Sequence, residues 1–359
     1  MAAPNIIRDE IAALSAYHVQ PAAGLIKLDA MENPFAFPGS LRAGLAEALA
    51  TASLNRYPSA AAEELKDAIR GAMTIAPDLD ILLGNGSDEI IQIIAMACAK
   101  PGAALLSVEP AFVMFKMIAT FCGLEYIGVP LTADFEMDTE AMLAAIAARR
   151  PAVTFIAYPN NPTGNLFDRA GIRRIIKAVE SDGGLVVIDE AYFAFSSESF
   201  LLEIAQYPNA LLMRTVSKLG LAGARLGMLI GRSVWLNEFD KLRLPYNINV
   251  LTQAAATFAM QHYDSLLQQA EILKSERTRL GLALDTITGA ANLERFPSEA
   301  NFILIRVSDA DKTFKALLSR KILVKNTGKS HPLMANTLRL TVGTPAENDA
   351  LIAALHESL

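Results

Sequence analysis

The chain of 359 residues carries 32 lysines and arginines against 38 aspartates and glutamates, which gives a formal net charge of −6. This length accommodates one large domain or two ordinary domains, and a hydrophobic content of 52% with only 19% charged residues excludes intrinsic disorder. An acidic chain without a basic stripe argues against nucleic acid and against anionic membrane surfaces as partners.

Three sequence features predict a cytoplasmic protein that does not enter a membrane. The first nine residues contain no basic segment followed by an apolar run, so we expect no secretory signal. The longest stretch without charged residues, residues 244–263, contains several amides and a histidine and is a poor membrane span. Cys98 and Cys122 lie in apolar surroundings, which is typical of small buried residues rather than of a disulfide framework.

Short apolar runs alternate with amphipathic, alanine-rich segments through the first two thirds of the chain. The apolar runs predict strands at residues 81–84, 104–108, 153–157, 185–188 and 211–213. The amphipathic segments predict helices at residues 87–99, at residues 111–121 and from Asp168 onward. Because these strands show no polar alternation, we expect a mostly parallel sheet covered by helices on both faces. Functional side chains in such a sheet lie just beyond the carboxyl ends of its strands.

The pattern changes after Pro245. Residues 250–285, rich in alanine, leucine, glutamine and glutamate, predict one long helix that leads into a second unit. Strands are predicted in that unit at residues 301–305, 322–324 and 337–341. Residues 344–347 (TPAE) predict a capping box at the start of the last helix.

These elements predict an α/β protein of two domains. The large domain is expected to comprise residues 30–248 and to contain the mostly parallel sheet. The small α+β domain is expected to comprise residues 1–29 and 249–359. No linker rich in serine, glycine or proline separates the two.

A glycine-rich turn connects the first of these strands to a predicted helix that begins at Ser87. Free N–H groups at a helix start, with the serine hydroxyl, bind phosphate well; the alternative is a plain serine N-cap followed by Asp88 and Glu89. Glu89 stands where a dinucleotide fingerprint has its next glycine, and no P-loop lysine follows, which disfavours both nucleotide sites. Phe112, which follows Pro110 closely, is a candidate for stacking on a cofactor ring, with core packing as the alternative.

Two further strand ends carry polar motifs. Residues 158–164 (YPNNPTG) form a tight loop, in which Asn161 either presents its amide to a polar ring substituent or serves only the turn. Asp189 is a candidate partner for the protonated ring nitrogen of pyridoxal phosphate (PLP), and Tyr192 for the phenolate oxygen of that ring. The alternative is that Asp189 caps the following turn and Tyr192 belongs to the core.

Residues 215–227 (TVSKLGLAGARLG) place a lysine directly after a strand. Lys218 follows Ser217 and precedes Arg225, and the glycines between them let another molecule approach the backbone. Such a lysine either forms an imine with a carbonyl cofactor whose phosphate the arginine holds, or lies in a surface turn with two ordinary cations.

The order and spacing of these motifs resemble those of the fold-type I, PLP-dependent aminotransferases, and within them the histidinol-phosphate aminotransferases. The resemblance extends over nearly the whole chain. It rests on motifs at residues 31–34, 56–58, 86–89, 160–164, 189–192, 217–225 and 338–344. It implies a fold-type I transferase with a mostly parallel seven-stranded sheet in the large domain, a small α+β domain, and a homodimer.

The resemblance also implies how PLP is held, with no metal ion involved. Lys218 would carry the cofactor as an imine and later move the substrate's proton, and Asp189 would pair with the pyridinium nitrogen. Asn161 and Tyr192 would hold the ring oxygen. The residues expected around the cofactor's phosphate are Ser87, Asp88 through its backbone, Ser217, Arg225 and Tyr57 from the other subunit. Phe112 stands where the family often has a stacking tyrosine, so stacking is kept and a hydroxyl is lost.

The reaction implied is transamination of L-histidinol phosphate with 2-oxoglutarate, giving imidazole acetol phosphate and L-glutamate in L-histidine biosynthesis. Arg339 would receive the α-carboxylate of glutamate in a bidentate fork and then help to hold the other substrate's phosphate. The remaining substrate-binding residues are expected to be Tyr17, Asn33 and Lys325. Lys325 aligns with a second arginine of the family and would bind phosphate as a point charge.

Three alternatives stay open beside this reaction. The nearest is an aromatic-amino-acid aminotransferase with the same core, and another is a relative that decarboxylates threonine phosphate. The segment Leu221-Ala222-Gly223 after the lysine favours the first reaction over the decarboxylase. A PLP-sensing regulator would need an appended DNA-binding domain, and the resemblance already begins within the first twenty residues.

Overall fold

The structure is a computed structural model that describes residues 6–16, 19–288 and 293–359, which form two β-sheets and the helices around them. The strands are β1 (Ile26–Leu28), β2 (Asp80–Gly84), β3 (Ala104–Glu109), β4 (Glu125–Pro130), β5 (Val153–Ala157), β6 (Leu185–Asp189), β7 (Ala210–Thr215), β8 (Gly227–Gly231), β9 (Glu294–Arg295), β10 (Phe302–Arg306), β11 (Ile322–Asn326) and β12 (Thr337–Thr341). The α-helices are α1 (Asp9–Ala12), α2 (Arg42–Ala50), α3 (Glu63–Met73), α4 (Ser87–Cys98), α5 (Val113–Cys122), α6 (Thr139–Arg149), α7 (Arg169–Ser181), α8 (Ser233–Asp240), α9 (Val250–Gln261), α10 (Tyr263–Thr288), α11 (Ala310–Ser319) and α12 (Pro345–His356).

The larger sheet has seven strands in the order β2-β8-β7-β6-β5-β3-β4. The neighbours from β7 to β4 pair in parallel, whereas β8 pairs antiparallel with both β7 and β2. Strands β5, β6 and β7 are buried along their whole length, because helices cover both faces of the sheet. The predicted mostly parallel, seven-stranded sheet is confirmed.

The polar motifs that follow the strands lie along one edge of this sheet. Six of the strands run in the same direction, so their carboxyl ends meet there, and β8 runs the opposite way and contributes its amino end. The motifs that follow β2, β5, β6 and β7 therefore converge with the segment before β8. This is the place where open α/β sheets bind ligands.

The smaller sheet has five strands in the order β1-β11-β12-β10-β9. β1 pairs in parallel with β11, and the other pairs are antiparallel. Helix α11 packs on β11 and β12, and the long α10 packs against α12 and β10. Both sheets contribute to one hydrophobic core, which contains Ile188 of β6 as well as Leu338 of β12.

The helix ends show which local predictions hold. The predicted capping box is confirmed, since Thr344 and Glu347 exchange side-chain-to-backbone hydrogen bonds at the start of α12. The prediction of a single helix over residues 250–285 is wrong, because α9 ends at Gln261 and α10 begins at Tyr263, with non-helical dihedral angles at His262.

Within the described residues, no helix combines the length and the apolar composition that a membrane crossing needs.

Candidate active site

An inner cavity with about 590 Å³ of empty volume opens at the carboxyl edge of the seven-stranded sheet. The ends of β2, β5, β6 and β7 and the segment before β8 all contribute to its wall. The predicted residues that line it are Ser87, Asp88, Phe112, Asn161, Asp189, Tyr192, Ser217, Lys218 and Arg225. The structure therefore brings together all the predicted cofactor-binding residues except Tyr57.

Lys218 lies in the turn that follows β7. Gly220 has a φ of +114° there, a conformation that side chains rarely adopt and that lets the chain turn after the lysine. The Nζ of Lys218 donates to the carbonyl oxygen of Ala30 at 3.0 Å. Burial, and after it the positive charge of Arg339, lowers the pKa of this amine to about 8. An amine with this pKa is more often neutral near physiological pH than an ordinary lysine, as attack on a carbonyl requires.

Asp189 is the last residue of β6, and only 4% of it is exposed. Burial raises the pKa of its carboxyl to about 7, although the Ala191 N–H donates to Oδ1 at 3.1 Å and opposes this shift. An apolar site penalises the lone carboxylate, and a cation bound beside it removes that penalty. The position therefore suits a group with a protonated nitrogen.

The start of α4 and Arg225 form a cradle for an anion. The first N–H groups of this twelve-residue helix have no partner within the helix. Arg225 Nη2 lies 3.8 Å from Asp88 Oδ2. A Cβ on Gly86 would lie 2.7 Å from Arg225 Nη2, and a Cβ on Gly227 would lie 2.6 Å from the backbone nitrogen of Ser87. Only glycine at these two positions lets the guanidinium and the helix start approach so closely.

The donor set of the inner cavity fits PLP. The helix start, the hydroxyls of Ser87 and Ser217 and the guanidinium of Arg225 suit a phosphate. The buried carboxyl of Asp189 suits a pyridinium nitrogen, and the amine of Lys218 suits an aldehyde. The ring of Phe112 adds an aromatic wall.

Asn161 lines both this cavity and a larger one outside it. Its Oδ1 accepts from Arg339 Nη1 at 2.6 Å; because a guanidinium only donates, the atom facing it must be the oxygen, and Nδ2 is the donor that Asn161 offers. Arg339 Nη2 donates to the Asp29 carbonyl at 2.8 Å. Tyr192 packs edge-on against Phe302, with ring centroids 5.2 Å apart, and the Arg339 guanidinium lies 5.3 Å from the centroid of the same ring.

The outer cavity has about 1340 Å³ of empty volume and shares Met31, Phe112 and Asn161 with the inner one. Lys325 and Arg339 line it and stand directly opposite each other in the antiparallel pair of β11 and β12, so both side chains lie on the same face. Like charges placed opposite each other destabilise a sheet, and an anion between them removes that cost. The outer cavity is therefore suited to a phosphate or carboxylate group.

Asn33 lines neither cavity. Its Nδ2 donates to Gln269 Oε1 at 3.0 Å and to the Leu219 carbonyl at 3.4 Å. These bonds join the segment before α2 to α10 and to the turn that carries Lys218. The predicted contact of Asn33 with substrate stays a prediction.

Tyr57, the remaining predicted cofactor-binding residue, lines neither cavity within this chain. Tyr57 is 80% exposed, and its ring stacks on that of Tyr246 with centroids 4.4 Å apart. Tyr17 lies outside the residues that the structure describes. The predicted roles of both stay predictions.

A buried ion pair next to Asp189 in the chain, between Glu190 and Arg214, was not predicted from the sequence. Glu190 is fully buried, and its Oε2 accepts from Arg214 Nη2 at 2.8 Å, while its Oε1 accepts from the Phe200 N–H at 2.6 Å. The hydroxyl of Ser199 joins the same network. The signal was present in the sequence, because an arginine within an apolar strand and a second acid at a strand end need partners when buried.

The chain matches the family model described as aminotransferase class I and II over residues 23–355. Histidinol-phosphate aminotransferase 1 of Burkholderia lata is 52% identical, over 99% of this chain and 98% of its own length. The histidinol-phosphate aminotransferase of Methylibium petroleiphilum is 51% identical, over 98% of this chain and 94% of its own length. The residues matched by the family model span the motifs from residue 31 to residue 344.

A solved structure shows the same fold. The histidinol-phosphate aminotransferase from Sinorhizobium meliloti, in complex with pyridoxal-5'-phosphate, is 24% identical and has a TM-score of 0.87. The match covers 99% of this chain and 98% of that chain. The family-model match and the relatives about half identical to it show that the chain belongs to the class I and II aminotransferases, in the group of the histidinol-phosphate aminotransferases.

Proposed function

We propose that the protein transfers the amino group of L-histidinol phosphate to 2-oxoglutarate with PLP as cofactor, giving imidazole acetol phosphate and L-glutamate in L-histidine biosynthesis. The proposal rests on the fact that the two cavities adjoin each other and share Met31, Phe112 and Asn161. The amine of Lys218 and the carboxyl of Asp189 line the inner cavity, and the opposed cations Lys325 and Arg339 line the outer one. Relatives about half identical to this chain bear the name of this enzyme.

PLP, when bound, supplies an aldehyde that takes up the substrate's amine and a ring that accepts electrons from the bond being broken. Lys218 would hold that aldehyde, and its Nζ would accept and return the proton of the substrate. Its lowered pKa keeps a fraction of the amine neutral, which is the form that accepts a proton. The carbonyl of Ala30, 3.0 Å from Nζ, helps to hold the amine at the cavity wall.

The other residues of the inner cavity orient the ring. Asp189 would accept a hydrogen bond from the protonated ring nitrogen, and its buried carboxylate would be stabilised by that positive charge. Asn161 donates through Nδ2, and Tyr192 through its hydroxyl, toward the ring oxygen. Ser87, Ser217, Arg225 and the start of α4 hold the phosphate of the cofactor.

The outer cavity selects the anionic part of each substrate. The bonds to Asn161 and Asp29 fix the plane of the Arg339 guanidinium at the cavity wall. This planar fork receives the α-carboxylate of glutamate and helps to hold the phosphate of histidinol phosphate. Lys325, on the same face of the smaller sheet, adds a point charge for that phosphate.

We further propose a homodimer in which Tyr57 completes the cofactor site of the other subunit. Tyr57 is 80% exposed, and its neighbour Leu54 is 73% exposed. Leu244, close to the stacked Tyr246, is 71% exposed. Large apolar side chains exposed on one surface are typical of protein interfaces, and the motif at residues 56–58 matches the family's shared segment.

The proposal includes the cytoplasm as the place of action. Cys98 and Cys122 are free, and burial raises the pKa of both thiols. Such thiols are unreactive and need no oxidising compartment.

Single half-reactions test the substrate assignment. The purified PLP-loaded enzyme is mixed separately with histidinol phosphate, glutamate, phenylalanine and threonine phosphate, and the absorbance of the cofactor is followed. We expect rapid conversion with histidinol phosphate and with glutamate. Faster conversion with phenylalanine would indicate an aromatic-amino-acid aminotransferase, and release of carbon dioxide from threonine phosphate would indicate a decarboxylase.

A further inference from the structure

The loop between β11 and β12 carries a histidine that lines the outer cavity. His331 caps a short 3-10 helix, Pro332–Met334, and its Nδ1 accepts from the backbone N–H of Leu333 at 3.2 Å. A ring nitrogen that accepts a hydrogen bond carries no hydrogen, so the hydrogen of the neutral imidazole is on Nε2. The backbone of the loop therefore makes His331 a hydrogen-bond donor at Nε2.

The hydroxyl groups of the same loop already form hydrogen bonds with other residues of the protein. The Ser330 Oγ donates to the Thr327 carbonyl at 2.8 Å. The Thr327 Oγ1 lies 2.8 Å from the Thr337 Oγ1 and 3.1 Å from the Thr337 carbonyl. Of the three polar side chains of this loop that line the outer cavity, His331 is thus the one equipped to donate to a bound group.

His331 shares the outer cavity with the two opposed cations, Lys325 and Arg339. Lysine attracts phosphate as a point charge but, unlike arginine, offers no fixed fork of donors. A directed N–H from His331, which lines the same cavity as Lys325, supplies that direction. We propose that His331 donates through Nε2 to the phosphate of the substrate and thereby favours phosphorylated over unphosphorylated substrates.

This inference rests on the proposed function, because the phosphate is that of histidinol phosphate. A matched pair of variants separates the donor from the helix cap. His331→Asn keeps a side-chain oxygen that accepts the Leu333 N–H, whereas His331→Gly has no side chain; both residues are favoured at N-caps, and neither adds a charge. Only the asparagine also offers an N–H donor. A purely structural role of His331 would change the rates with the phosphorylated and the unphosphorylated substrate alike, so their ratio would stay as in wild type.

The test compares kcat/KM for histidinol phosphate with kcat/KM for histidinol, using the PLP-loaded enzyme. Losing a hydrogen bond to a charged group lowers binding roughly ten- to a hundredfold. We expect the ratio to fall by at least about tenfold in His331→Gly and to stay within a few-fold of wild type in His331→Asn. Lys329→Ala is the control, since it removes an exposed charge of the same loop whose Nζ pairs with Asp311 at 2.9 Å.

Equal ratios in the glycine and asparagine variants would overturn the inference and leave the proposed function standing. If the wild-type enzyme does not convert histidinol phosphate, the proposed function fails, and inorganic phosphate then decides the role of His331. Phosphate should inhibit the glutamate half-reaction of His331→Gly more weakly than that of His331→Asn. Equal inhibition would again overturn the inference.

Discussion

At the scale of single residues, the inner cavity contains two groups whose neutral forms are favoured by burial. The pKa of Lys218 is lowered to about 8, and the pKa of Asp189 is raised to about 7. Both shifts have the same cause, because apolar surroundings penalise the charged form of either group. The two residues are therefore matched to a ligand with an aldehyde at one end and a cationic nitrogen at the other.

The uptake of PLP by the apoenzyme should follow the titration of Lys218. We expect the rate to rise with pH and to level off above about 8, because the neutral amine attacks the aldehyde. Arg339→Gln should move the midpoint to higher pH, since the charge of Arg339 lowers the pKa of Lys218. Stopped-flow absorbance measures both midpoints, with Lys218→Ala as the inert control. An unchanged midpoint in Arg339→Gln would contradict this coupling.

Asp189→Asn should stabilise the apoprotein above pH 7 and remove most of the catalytic rate. The folded apoprotein holds the carboxyl proton more tightly than the unfolded chain does, so its stability falls as the pH rises from about 4 to about 7. A pKa difference of about three units corresponds to at most about 4 kcal/mol. Denaturant unfolding at several pH values should show a smaller fall in the variant. Parallel curves for the two proteins would refute the burial argument.

Arg339→Lys should raise the KM for glutamate and 2-oxoglutarate by roughly tenfold or more, because one hydrogen bond to a charged group is worth about 1.5–3 kcal/mol. A planar fork held by Asn161 and Asp29 is exchanged for a point charge. The affinity for PLP, measured by equilibrium dialysis, should change less. A glutamate half-reaction as fast as that of wild type would count against the role of Arg339.

At the scale of elements, the buried ion pair between Glu190 and Arg214 stabilises the segment that follows β6. Arg214→Met should lower the free energy of unfolding by about 3–5 kcal/mol, because it leaves a carboxylate buried without its partner. Adding Glu190→Gln to that variant should recover part of the loss. The matched control is Lys241→Met, whose exposed pair with Glu238 is worth less than about 1 kcal/mol. A loss in Arg214→Met no larger than in the control would contradict the account.

Elements with a strong local signal were predicted from the sequence, and elements defined by distant partners were not. The continuous apolar runs of β5, β6 and β7 could be recognised because both faces of these strands are buried. The three-residue strand β1 could not, since it exists only through pairing with β11 almost 300 residues later. The break between α9 and α10 has no proline or glycine to mark it.

The same distinction holds for the site. Residues at strand ends were predicted because parallel strands bring their carboxyl ends to one edge. The ion pair of Arg214 and the proposed role of His331 were missed because both depend on contacts made only in the folded chain. The domain boundaries stay a prediction, and α9, assigned to the small domain, packs on α2 and α3, which were assigned to the large one.

At the scale of the whole molecule, the proposed dimer places Tyr57 of one chain beside Lys218 of the other. Co-expression of Tyr57→Ala chains with Lys218→Ala chains should therefore restore activity. In such a heterodimer one site has both defects and the other has neither, so activity should approach half the wild-type value per dimer. The measurement is turnover of purified heterodimers whose composition is confirmed by mass.

The alternative arrangement gives the opposite result. If Tyr57 served the site of its own chain, each site of the heterodimer would carry one defect and no intact site would form. Absence of recovery would then refute the shared site, provided that Tyr57→Ala alone is severely impaired. The stacking of Tyr57 on Tyr246 would in that case be a packing contact within one chain.

The transfer of one labelled nitrogen atom tests the central claim most directly. The PLP-loaded enzyme is incubated with 2-oxoglutarate and with histidinol phosphate whose amino nitrogen carries a heavy isotope, and both products are analysed by mass spectrometry. The account predicts labelled glutamate and unlabelled imidazole acetol phosphate in equal amounts. Unlabelled glutamate, or histidinol phosphate that keeps its amino group, would contradict it.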